Sequence, residues 1–301
     1  MFRAFVLASL FVAALGGCAS KKSGAAQSAV DTLDVVLAPD AVVSALQKVG
    51  GGHFHSTALL RVEASRKADP AEGKPASPPA VTTTTDLWLD RQGNFRLLET
   101  NDQDGGREIV RVGRSISVAL RYGKLVKRTA EDAETAGFLA EAVGAPRTAW
   151  EIVRRQVEVR GSTGGPYALA LGQRLADLPT GFSAGGALQK WRDSIEVKSL
   201  GGSVGLNGVG AGRVLVTFEC KATFHATRDA LPDVLPEVLP IDGEVAVSAI
   251  VDQIGKVPDV TMPDAETLHL RQRTILEEKA LLGGIRSSVS LPPPPKKKAG
   301  P

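Results

Sequence analysis

Gly181-Phe182-Ser183-Ala184-Gly185 spells the G-x-S-x-G pattern of a nucleophile elbow, and Asp193 and His225 follow it in the order of a hydrolase triad. An elbow needs a buried parallel strand before the serine and a helix after it, so that the hydroxyl stands on a strained turn. Here Ala176-Asp177-Leu178-Pro179-Thr180 comes first, with Pro179 where the strand should run. A chain with 32 glycines produces such matches in ordinary loops. His53 and His55 are two residues apart, share one face of a strand, and could supply two ligands to a metal. Zinc takes three or four protein ligands, and the neighbouring sequence offers no others, so solvated side chains on a polar face are expected. Residues 205–212, Gly-Leu-Asn-Gly-Val-Gly-Ala-Gly, look like a phosphate loop, but a strand follows them and leaves no helix N-terminus for an anion. Cys220 alternates with apolar residues and reads as a packed, unreactive thiol. These residues assemble no catalytic constellation, cofactor site or metal site, and the chain is expected to bind rather than to catalyse.

The other cysteine is placed differently. Met1-Phe2-Arg3, an apolar run from Ala4 to Leu15, and Gly16-Gly17 before Cys18 have the layout of a secretory signal. The run is too short to span a bilayer as a mature helix. Leu15-Gly16-Gly17-Cys18 resembles the lipobox of bacterial lipoproteins. That likeness implies removal of residues 1–17 and acylation of Cys18, and two or more chains suffice for stable attachment. Ala19 and Ser20, in place of Asp after the cysteine, point to the outer membrane, facing the periplasm. Six of the 36 basic residues (Arg3, Lys21, Lys22, Lys296, Lys297 and Lys298) lie in the two ends, so the rest of the chain carries 30 basic groups against 33 acidic ones. That balance has no electrostatic footprint for nucleic acid.

Behind the anchor, residues 18–37 read as a flexible tether. A short helix is predicted over 38–50, begun by Pro39 or Asp40 and stopped by Gly50. The hydrophobic period then changes to two: Phe54, Ser56, Ala58, Leu60, Val62 and Ala64 point one way, and His53, His55, Thr57, Arg61 and Glu63 the other. Residues 65–81 are a Pro-rich insertion. Short strands separated by turn residues then follow in sequence order to Arg128, as in an antiparallel meander. Thr129 with Asp132, and Thr148 with Glu151, resemble capping pairs that open two helices.

Strands resume near Val157. Residues 194–206 are expected to form a hairpin turning at Gly201-Gly202. The clearest strand is 213–228, where Val214, Val216, Phe218, Cys220, Ala222, Phe224 and Ala226 alternate with polar residues. After a strand at 243–253 come an edge strand around 256–262, a terminal helix capped by Asp264, and a polyproline-lysine tail at 286–301.

The start helix with its strand, followed by Trp88, Arg91, Gly93, Phe95 and Arg96, and then by Arg111-Val112-Gly113-Arg114-Ser115 with Gly-Arg in place of Gly-Lys, resembles the lipoprotein-localisation carriers. That family comprises LolA, LolB and the related LppX and LprG lipid-binding lipoproteins. The likeness spans residues 38–145. It implies a mainly β (α+β) fold over residues 38–285: an unclosed, strongly curved antiparallel β-barrel, with helices plugging the open side and an apolar cavity for acyl chains. Phe54, Leu60, Trp88, Val216, Phe218 and Phe224 are the expected cavity residues. Pro232, Pro236 and Pro240 exclude a regular helix or an inner strand from 231–240, and Leu235 and Leu239 there are expected to form a cover or a lid. Three functions follow. One is a membrane-anchored protein that holds the acyl chains of lipids or lipoproteins. Another is a scaffold or stress-sensor lipoprotein whose partner is a second envelope protein. The last is an esterase using Ser183.

Overall fold

The computed structural model describes residues 28–63, 80–121, 123, 125–161, 166–174, 192–208, 213–226 and 242–263. Their strands are β1 (Gly52–Glu63), β2 (Ala80–Leu89), β3 (Phe95–Asn101), β4 (Gly106–Val112), β5 (Ser115–Leu120), β6 (Val126–Thr129), β7 (Val157–Arg160), β8 (Tyr167–Leu171), β9 (Glu196–Asn207), β10 (Val214–His225) and β11 (Asp242–Asp252). They form one unclosed antiparallel sheet of 11 strands in the order β6-β5-β4-β3-β2-β1-β11-β10-β9-β8-β7. The sheet is two meanders joined along a seam, where β1 runs against β11 from His53 opposite Asp252 to Glu63 opposite Asp242. The expected curved, open, mainly β architecture is the one observed.

The helices are α1 (28–36), α2 (Pro39–Lys48), α3 (Asp132–Ala142) and α4 (Gly144–Val153). The chain leaves the sheet at edge strand β6, passes through α3 and α4, and re-enters at the other edge, β7. On the way α4 packs on β1, β9, β10 and β11, and α3 packs on β2. The helices therefore fill the open side.

Alternation decides which residues meet them. Phe54 on β1, Phe218, Cys220, Ala222 and Phe224 on β10, and Val245, Val247, Ala249 and Val251 on β11 are all buried. Glu219 and Lys221 between them are exposed. From the helices, Leu33, Leu46, Phe138, Leu139 and Trp150 join the same core cluster. Burying such side chains removes ~1.5–3 kcal/mol of apolar exposure each.

Several local expectations are corrected. Residues 28–36, inside the expected tether, are helical, and Val30 and Leu33, with Leu37 just beyond, are buried at helical spacing. Gly201-Gly202 is no turn: β9 runs straight through it, with Gly202 paired to Cys220. A Cβ on Gly202 would sit 2.1 Å from the Glu219 carbonyl oxygen, so Gly202 permits the close approach of β9 and β10. Helix α3 starts after Glu131, without a side-chain cap, and Thr129 ends β6. Helix α4 starts at Gly144, before Thr148, whose hydroxyl donates to the Gly144 carbonyl at 3.2 Å. Residues 257–263 form no strand; there the Val260 amide donates to Asp90 Oδ2 at 3.0 Å.

Candidate functional site

Of the six expected cavity residues, Phe54, Phe218 and Phe224 do face a common interior and are fully buried. Phe224 lies across Gly243 of β11, where an added Cβ would come within 2.7 Å of its ring. Val216 does not join them. Leu215 pairs with Leu206 and Thr217 with Gly205, so Val216 is the extra residue of a β-bulge and is only half-buried. A bulge breaks the period of two, which is why Val214 and Leu215 are both buried.

Trp88 is also corrected: it lies on the opposite, convex face. Leu87 and Leu89 flank it and point inward, while the Trp88 ring stacks on His53 with centroids 4.9 Å apart and 9° between planes. The Arg96 guanidinium covers the Trp88 ring at 5.6 Å. Strand β1 carries Leu60 in register with Val81 and Val245, but the Leu60 side chain lies outside the described parts. So do Cys18, Ser183, Leu235 and Leu239.

The interior is closed by the protein's own helices. Trp150 of α4 is fully buried, and its Nε1 donates to Asp34 Oδ1 at 2.7 Å. Arg147 donates to the Asp34 carbonyl at 2.8 Å and, through Nε, to Glu151 at 3.2 Å. Arg154 approaches Asp34 Oδ1 at 3.6 Å. Burial holds the Arg147 guanidinium below its ordinary value; Glu151 and Asp34 oppose that shift and Arg154 adds to it. Farther along, Arg107 is buried between Glu99 (3.1 Å) and Glu141 (2.8 Å), with its guanidinium over Phe138. Burial alone would lower its pKa, but the two carboxylates outweigh that and raise it. These pairs tie α1 to α4, and α3 to β3 and β4.

Beside this packed interior lies an open space. A groove of about 710 Å³ runs between α1, α2 and the start of β10. Val35, Val42, Val49 and Leu215 form apolar parts of its wall, and Asp31, Lys48 and Arg213 also line it. Val35 is 68% exposed and Val49 36%.

On the convex face, Asp86 Oδ1 lies 3.1 Å from His53 Nε2 and 2.8 Å from His55 Nδ1. His53 Nδ1 lies 2.8 Å from Asp252 Oδ1. With Trp88, Arg96 and the Arg96–Glu108 pair at 2.9 Å, this makes a ladder across β11, β1, β2, β3 and β4. The histidines are therefore bonded rather than merely solvated. Neither carboxylate was legible as their partner, because Asp86 arrives by cross-strand pairing and Asp252 is 199 residues away. The imidazole centroids are 6.4 Å apart, so the rings converge on a carboxylate and not on a common ion. Among the described residues no group of three or more ligand side chains could hold a metal.

The hydrolase order fares no better. Asp193 pairs with Arg155 at 2.6 Å, and His225 Nδ1 with Asp242 at 2.6 Å, so neither is bonded to the other as triad members must be. Burial pushes the Cys220 thiol up to about 12, which keeps it protonated and inert. Sequence comparison finds no matching family model and no matching curated protein. Fold and site together define an unclosed antiparallel sheet, packed inside by its own helices, with an apolar groove along its first two.

Proposed function

We propose that the protein is a periplasm-facing lipoprotein, anchored through Cys18 in the outer membrane, that binds the acyl chains of a lipid or lipoprotein. Its place would be in envelope lipid or lipoprotein trafficking, as the resemblance to the LolA/LolB-like carriers implies. The observation that carries this reading is the 710 Å³ groove, whose walls present Val35 and Val49 to solvent. Its size falls among sites that enclose a small ligand, roughly 300–1,000 Å³. The groove also adjoins α1, the first described element after Cys18. Ser28 is ten residue steps from Cys18, an extended reach of at most about 36 Å, so an anchored groove stays near the bilayer.

The packed interior supports a second reading, a scaffold or stress-sensor lipoprotein that binds another envelope protein on the same fold. One experiment separates the two. The full chain carrying Cys18→Ala, which removes any covalent acyl group, is purified without detergent and extracted with organic solvent, and the extract is analysed by mass spectrometry. A stoichiometric acyl lipid is expected. A lipid-free protein that remains folded would overturn the acyl-binding reading.

A further inference from the structure

We infer that the groove between α1, α2 and β10 takes a free, single-chain amphiphile with an anionic head, its chain on Val35, Val42, Val49 and Leu215 and its head between Lys48 and Arg213. The inference rests on the proposed acyl binding and names which ligand of that class the site selects. A volume of about 710 Å³ suits one chain with a small head rather than a complete membrane lipid with two chains.

The lining is asymmetric in charge. Two cations, Lys48 and Arg213, share it with one carboxylate, Asp31. Lys48 is exposed in the last turn of α2 and engages no carboxylate among the described residues. Arg213 donates from Nη1 to the Tyr167 hydroxyl at 3.4 Å, which orients its guanidinium at the start of β10. A guanidinium offers a planar fork that matches a carboxylate or phosphate, and a lysine adds a point charge. Asp31 lines the α1 wall of the same groove, and Lys48 and Arg213 belong to α2 and the start of β10. Beside these groups an apolar wall with two valines open to water would be covered by the chain. Apolar surface and a few fixed polar groups are the usual division of labour in a small-molecule site.

The test uses the full chain carrying Cys18→Ser, titrated with a fluorescent long-chain fatty acid and, separately, with its methyl ester, which keeps the chain and removes the charge. The acid is expected to bind about tenfold more tightly than the ester, the scale of one good charge-assisted contact. Lys48→Glu, at an exposed position, should erase that preference, and Arg213→Gln should reduce it. Equal binding of acid and ester, or a preference that survives in the double variant, would overturn the anionic head while acyl binding stood. Displacement of the probe by phosphatidylglycerol vesicles but not by unlabelled fatty acid would overturn the single free chain. Failure of both probes to bind would overturn this inference and the acyl-binding function together.

Discussion

The interior under α4 and the groove beside α1 and α2 are both apolar, yet they do opposite things with their surface. Under α4 the large side chains Trp150, Phe54 and Phe218 are fully buried, and Trp150 and Arg147 are bonded to Asp34 and Glu151. In the groove Val35 and Val49 face water across an open space. The interior is lined by large aliphatic and aromatic side chains and the groove by smaller ones with charged groups among them, and the two differ in whether the described residues cover them. Apolar content alone therefore does not locate a binding site. The informative feature is apolar surface that the described residues leave uncovered.

Three measurements press on this contrast. The largest effect is expected inside. Phe218→Asp puts an unpaired charge into a dry interior, and chemical denaturation should show a loss of more than ~4 kcal/mol or no folded protein at all. Thr217→Asp, one residue away on the convex face, should cost under ~1 kcal/mol. Equal effects would mean that the sheet's inner and outer faces are misassigned.

Next comes the response of the same interior to alkali. Cys220 keeps its proton in the folded state up to about 12, against an ordinary value of 9.0. Between those limits the unfolded chain binds fewer protons than the folded one, so stability falls as pH rises, by up to ~1.4 kcal/mol per pH unit from this group. Comparing the slope with that of Cys220→Ala isolates it. A variant with the same slope would show that the thiol is not shielded as the packing requires.

The smallest change in stability is expected in the groove. Val35→Ser should alter the unfolding free energy by less than ~0.5 kcal/mol, because Val35 is already 68% exposed. The same substitution should weaken binding of a fluorescent fatty acid several-fold. A stability loss comparable to that of a core truncation would mean that the groove is part of the core.

Much of the sheet was legible in the sequence because its signal is local. Phe54, Phe218 and Phe224 follow from the period of two, and the strands from β2 to β6 follow from turn residues between short apolar runs. The failures share a cause: each depends on a partner far along the chain. The side taken by Trp88 follows from pairing with His53 and Arg96. The bulge at Val216 follows from the register against β9, and the straight run through Gly201-Gly202 from how closely β10 approaches. The groove was not legible at all. Helix α1 reads as tether in the sequence, since small and charged residues around Asp31 and Asp34 dilute the helical spacing of Val30, Leu33 and Leu37. Without α1, Lys48 and Arg213 had no site to border.

The seam between β1 and β11 also bears on how this chain reaches its fold. Within each meander, strands pair with their neighbours in sequence, so those contacts close much shorter loops than the seam does and can form earlier. Seam contacts such as His53–Asp252 join residues 199 apart and must close the longest loop in the sheet. Chain entropy rises only slowly with loop length, as about (3/2)RT ln n, so that closure adds delay more than instability. Two half-sheets that mature separately and dock last along one line would each expose, until then, a free strand edge, β1 on one and β11 on the other. The interval before that docking is when the chain most needs protection from pairing with a second copy of itself.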